Sequence, residues 1–181
     1  RIGYCVIGPL LFDFCSWLKN ISQKEQINKI AFVAREGYLI KLVYDIICTD
    51  EGANTEYVRL NKNMIRWPSL YKKPTVKQFE ESIPYREGYS GEELAQLLFI
   101  SPMFVKQLLL KNGFSAGYVQ RSDFKTAEFK TVFNKILEHE KVEMQEQFAL
   151  LIRYLNQIEA INKRTLLVNN SVNGSAQRSI R

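Results

Sequence analysis

A single histidine, His139, stands among the 181 residues, and that scarcity excludes a good deal of chemistry. A multi-histidine metal centre cannot be assembled, and a Ser/His/Asp triad would have to use this one residue. Cysteine is also sparse. Cys5, Cys15 and Cys48 are odd in number, widely spaced and set among apolar neighbours. That pattern predicts buried free thiols in a reducing compartment rather than disulfides or a metal site. No uninterrupted apolar run approaches the ~18 residues of a membrane span, and no signal-peptide pattern opens the chain; a cytoplasmic location without a membrane span is expected. Asp-x-Asp occurs nowhere, so catalysis through an aspartyl nucleophile with a second Asp two residues on has no place here. There is no initiator Met at Arg1, and the chain stops at Arg181; both ends read as those of a piece of a longer protein.

A hydrophobic content of 46% is enough for a real core in one domain, with room for a helical subdomain. The net charge of +6 fits either a solvated basic face or an anionic partner.

Along the chain, Leu10, Leu11, Phe14, Trp17, Leu18 and Ile21 recur at helical spacing, predicting an amphipathic helix over about 9–22 with Pro9 in its first turn and its aromatic stripe in the core. Lys29 to Ala34 reads as a short buried strand. Arg35-Glu36-Gly37 then forms a loop before a helical pattern through Tyr38, Leu39, Leu42, Val43, Ile46 and Ile47. A further strand is expected from Glu56 to Leu60, after the turn signal Asp50-Glu51-Gly52. From about Thr75 to Gln157 the pattern is helical almost throughout. Ser101-Pro102 reads as an N-cap and first helical position, and the stretch from Asp123 to about Ile161 as one long helix or a helical hairpin. The charges from Glu138 to Glu146 read as a solvated helix face. Thr165 to Val168 returns as a strand. Strands separated by helices predict a parallel sheet. The expected architecture is therefore an α/β, Rossmann-like three-layer domain with a mostly parallel sheet and a helical insertion: residues 1–74 as the first α/β part, 75–162 as the insertion, and 163–181 as the returning strand with a phosphate-loop-like segment.

Polar candidates cluster where strands end. The loop Asn169-Asn170-Ser171-Val172-Asn173-Gly174-Ser175, followed by Ala176 and Gln177, lies after a buried strand and before a helix-compatible restart. Free backbone N–H groups and a helix dipole would favour an anion there, a phosphate above all. Ser171, Asn173, Gly174, Ser175 and Gln177 are the expected cradle. Arg35 offers a bidentate fork to a phosphate or carboxylate, or else a partner for Glu36 or a helix C-terminus. Gly37 reads foremost as a device for starting the helix. Lys62, with Arg59 and Arg66 nearby, either lines the same crevice or forms a solvated basic edge. Trp67 and Tyr71 beside Lys72-Lys73 come without a recognised RNA or DNA motif, so nucleic acid is not the expected partner.

Gly8-Pro9-Leu10 with Phe14 and Trp17, then Phe32-Val33-Ala34-Arg35-Glu36-Gly37-Tyr38-Leu39, then Asn61-Lys62 with Pro68-Ser69-Leu70, and finally Val168-Asn169 with Gly174-Ser175 and Gln177, resemble the C-terminal module of predicted HAD-superfamily proteins from bacterial surface-polysaccharide clusters. The likeness runs over nearly the whole chain. It implies that the HAD phosphatase half lies upstream, outside this sequence. Against the family pattern, Glu36 stands for an Asp, Asn61-Lys62 for Ser-Arg, Asn169 for an Asp, Ser171 for a Gly and Val172 for a Trp. A weaker architectural resemblance is to type I phosphoribosyltransferases, whose acidic pair would here be Asn169 and Asn170, amides that hydrogen-bond hydroxyls but bring no charge to a metal.

The expected function is an accessory module that binds a phosphorylated sugar or nucleotide, with binding favoured over catalysis. Arg35, Gly37, Lys62, Asn169, Ser171, Asn173, Gly174, Ser175 and Gln177 would bind it. Glu36 is the one carboxylate at a motif position that could act as base or metal partner. No metal site is assigned and no cofactor is identified. The competing readings are a non-catalytic scaffold that docks a glycosyltransferase and a phosphoribosyltransferase-like transferase.

Overall fold

A computed structural model describes residues 2–48, 53–160 and 164–169. In chain order the elements are α1 (Gly8–Lys24), β1 (Lys29–Val33), α2 (Gly37–Ile47), β2 (Asn54–Val58), α3 (Lys62–Lys72), α4 (Val76–Ser82), β3 (Gly88–Ser90), α5 (Gly91–Leu98), α6 (Pro102–Lys111), β4 (Tyr118–Gln120), α7 (Ala127–His139), α8 (Lys141–Gln157) and β5 (Thr165–Val168). The fold is mixed α/β. Its described residues divide into two compact units, one running to Asn61 and resuming at Ile152, the other Lys62–Leu151.

The first unit is built on a three-stranded parallel sheet in the order β2-β1-β5. β1 is central, and Ile30, Ala31, Phe32 and Val33 are all buried, as expected of a strand covered on both faces. Side chains alternate across a strand, so Ile30 and Phe32 share one face. They join Cys15 and Leu18 of α1, Ile40 and Tyr44 of α2 and Val168 of β5 in one apolar cluster. β2 begins at Asn54 and ends at Val58, earlier than the alternation of its own side chains suggests. Pairing fixes its frame, Lys29 opposite Asn54 and Val33 opposite Val58.

The aromatic stripe of α1 is not core throughout. Cys15, Leu18 and Ser22, spaced three and four apart, form the buried face. Phe14 packs partly against the cluster, whereas Leu10 and Trp17 are exposed and Trp17 stacks on Phe14 at 5.7 Å between ring centroids. Residues 2–10 are exposed on every side, including Cys5, which corrects the expectation of three buried thiols. A helical moment computed by eye assigns a stripe to the core whenever it is apolar; here α1 runs past the surface that could cover it.

The second unit centres on Phe79, Tyr89, Phe124, Phe129 and Phe133, with Leu94, Val105 and Leu109 around them. It is mostly helical, yet β3 and β4 form an antiparallel ribbon within it, Gly88 opposite Gln120 and Ser90 opposite Tyr118. The expected long helix or hairpin is two helices that part at Glu140. Glu138, Glu143 and Glu146 are exposed while Met144 turns into the core, in keeping with a solvated face.

Candidate functional site

Because the strands of the first unit are parallel, the loops after β1, β2 and β5 all leave from the same edge of the sheet. Val33 of β1 lies opposite Val58 of β2, and Phe32 opposite Val168 of β5. Ala34-Arg35-Glu36-Gly37, Arg59-Leu60-Asn61 and Asn169 therefore begin within a residue of one another in register. In open α/β sheets this carboxyl edge is where ligands bind.

The loop after β1 is short and closely held. The Ala34 N–H donates to the Val58 carbonyl at 2.9 Å, extending the pairing by one residue, and the Tyr38 N–H donates to the Arg35 carbonyl at 3.2 Å. The Ala34–Arg35 peptide is cis. Arg35 and Glu36 are exposed, and the Glu36 carboxylate accepts from the Arg35 N–H at 3.2 Å. Among the described residues neither side chain forms an ion pair. Of the alternatives open for Arg35, a salt bridge with Glu36 is thus not the one observed; Glu36 takes the main-chain N–H instead. Gly37, the first residue of α2, is buried, and a Cβ built on it would lie 2.9 Å from the carbonyl carbon of Phe32. Glycine is needed there so that α2 can start directly on β1. The first turn of α2 carries no acidic residue of its own, which leaves the positive end of its dipole beside the Arg35 guanidinium.

The loop after β2 is anchored by a residue far along the chain. The Arg59 N–H donates to the Tyr154 hydroxyl of α8 at 2.9 Å, a contact that no sequence signal marks. Asn169 is half-buried one residue beyond Val168. Arg35, Glu36, Gly37 and Asn169 thus share one edge. Ser171, Asn173, Gly174, Ser175, Gln177 and the Lys62 side chain lie outside the described residues, and the Lys62 backbone opens α3 in the other unit.

Three neighbouring candidates have other roles. Arg66 is buried, donating to the carbonyls of Leu97 and Ser82, the ends of α5 and α4, so it does not line an open crevice. Trp67 is buried in the second core and Tyr71 stacks against Phe148 at 5.2 Å, which leaves no exposed aromatic pair for base stacking. His139 is exposed at the end of α7, stacked on Phe104 at 4.3 Å and paired with Glu140 at 2.7 Å; it belongs to no triad among the described residues. Among these residues no group of three His, Cys, Asp or Glu side chains is placed to hold a metal, and no helix is long and apolar enough to cross a membrane.

No protein-family model, curated protein or solved structure matches the chain.

Proposed function

We propose that the first unit is a Rossmann-like three-layer fold that binds a phosphorylated sugar or nucleotide at the carboxyl edge of its sheet, as an accessory module of a HAD-type polysaccharide-biosynthesis protein in the cytoplasm. The observation that carries the reading is the convergence of the strand-end loops, with the exposed Arg35 beside the N-terminus of α2. The layering is supported from both sides of β1. α1 and α2 cover Ile30 and Phe32. Ala31 and Val33, which face the other way, are buried too, while the end of α8 reaches β1 and β2 where the Lys29 ammonium donates to the Ile158 carbonyl and the Arg59 N–H to Tyr154. Binding is favoured over turnover because the strand-end position after β5 is the neutral Asn169, and Glu36 is the sole carboxylate on the loop after β1. Were the module catalytic, Glu36 would serve as the base.

Titration with glucose 1-phosphate and with UDP, followed by backbone amide shifts, tests this. Shifts are expected at Arg35 to Leu39 and at Asn169, and Arg35→Ala should weaken binding about tenfold or more, since a hydrogen bond to a charged group contributes roughly 1.5–3 kcal/mol. Silence of those amides at millimolar ligand would sink the reading. A second reading, a non-catalytic docking scaffold for a glycosyltransferase, is favoured by one observation: Tyr4, Leu10 and Trp17 on and before α1 and Leu39, Leu42 and Ile46 on α2 are exposed.

A further inference from the structure

The segment α5–α6 has the construction of a helix-turn-helix. α5 starts from a complete capping box, in which the Ser90 hydroxyl accepts from the Glu93 N–H at 3.1 Å and the Glu93 carboxylate from the Ser90 N–H at 2.9 Å. It stops at Phe99, whose left-handed backbone (φ 55°, ψ 36°) turns the chain, and the Ile100 N–H closes back on the Ala95 carbonyl at 3.0 Å. Ser101 then caps α6, with Pro102 as its first residue. The turn is Phe99-Ile100-Ser101, within the length usual for this motif. Leu94, Ala95 and Leu98 of α5 and Val105, Leu108 and Leu109 of α6 enter one core, so the two helices present a fixed surface. The β3–β4 ribbon brackets them, with β3 running straight into α5 and β4 following α6.

The outward side of α6 consists of Met103, Lys106, Gln107, Leu110 and Lys111, all exposed. From Ile100 to Gln120 the only charged residues are Lys106 and Lys111; no carboxylate interrupts the stretch. Nearby in sequence, Glu93 is engaged by Ser90 and by Arg86, at 2.7 Å from the latter. A second helix of a helix-turn-helix enters the major groove with its N-terminal half against base edges. Gln and Lys are suited to adenine and guanine edges there, and apolar groups to the thymine methyl.

We propose that α6 is a recognition helix that docks in the major groove of double-stranded DNA, with Lys106 and Gln107 toward the bases and Lys111 toward a phosphate. This goes beyond the phosphosugar reading and rests on different residues. It also departs from the sequence expectation, which considered nucleic acid only at Trp67 and Tyr71.

Fluorescence anisotropy of the whole chain with a randomised duplex pool tests it across a salt series. Binding is expected, and Lys106→Ala with Lys111→Ala should weaken it and lower the salt slope by about two, roughly one per lost phosphate contact. The paired control Lys130→Ala with Lys135→Ala, exposed lysines of α7, should leave the affinity within twofold. All four positions are solvent-facing, so circular dichroism should show the variants folded. Absence of duplex binding at low salt, or equal loss from both lysine pairs, overturns the proposal. So does a chain that ignores DNA but sediments as a dimer broken by Leu110→Glu, which would assign this face to a second copy.

Discussion

A methyl group at position 37 has nowhere to go. The nearest atom is main chain, the Phe32 carbonyl carbon at 2.9 Å, so relief requires β1 and α2 to move apart rather than a side chain to swing away. Alanine ordinarily favours a helix over glycine by up to about 1 kcal/mol, yet overpacking of this kind costs roughly 1–3 kcal/mol. Gly37→Ala is therefore expected to lower the stability of the first unit, read as a reduced urea midpoint; a midpoint at or above that of the parent would show that the contact yields easily. The position was legible as a helix start from Arg35-Glu36-Gly37, but its closeness to Phe32 was not, because the sequence cannot say how near a helix lies to its sheet. Arg66 shows the opposite failure. Charged residues beside Lys62 and Arg59 suggest a basic edge, but Ile65 through Leu70 are all buried, and a helix covered on every side gives no polar stripe to betray which charge is inside.

At the scale of elements, Arg66 joins two helix ends. α4 and α5 both finish with carbonyls that lack helical partners, and the guanidinium meets Ser82 O and Leu97 O there. The negative ends of two helix dipoles stand in for a carboxylate. Burial pulls the arginine pKa below its ordinary value, with Tyr89 opposing, but the group stays charged. Arg66→Ala would leave buried carbonyls unpaired, at about 1–3 kcal/mol each, and a loss of roughly 2–4 kcal/mol in the second unit is expected by chemical denaturation. A loss under about 0.5 kcal/mol would mean that desolvation of the cation cancels its bonds. Periodicity disclosed the long elements well: α1, α2 and the helices on either side of Glu140 follow their apolar spacing. It missed β3 and β4 because three-residue strands are too short to show an alternation. It misplaced β2 by two residues because β1 sets that register. The loops converging on one edge were foreseen from strands alternating with helices, whereas the Tyr154–Arg59 contact depends on where α8 ends and leaves no local trace.

For the whole molecule, the two hydrophobic clusters share no residue, and each holds its own reporter. Cys15 and Cys48 are buried in the first. Burial pushes the Cys15 thiol up to about 11, with the neighbouring Cys48 adding to the effect, so little reactive thiolate forms near neutral pH. Trp67 is buried in the second, while Trp17 is already exposed. Iodoacetamide should modify Cys5 at once and the other two only when the first unit opens, and the change in tryptophan emission should follow the second unit. In urea the two signals are expected to give separate midpoints; coincident transitions would show that the units unfold as one.

The first unit is also discontinuous. β1 ends at Val33, and its partner β5 does not begin until Thr165. A ribosome releases the chain from the N-terminus at about 5–20 residues per second, so the central strand emerges with one flank unoccupied and keeps it so while the whole of Lys62–Leu151 is made. The inserted unit has every residue of its core by Met144, well before its host has all of its own. In time, the guest is finished first, and the edge proposed to hold a ligand is the last part of the protein to come into being.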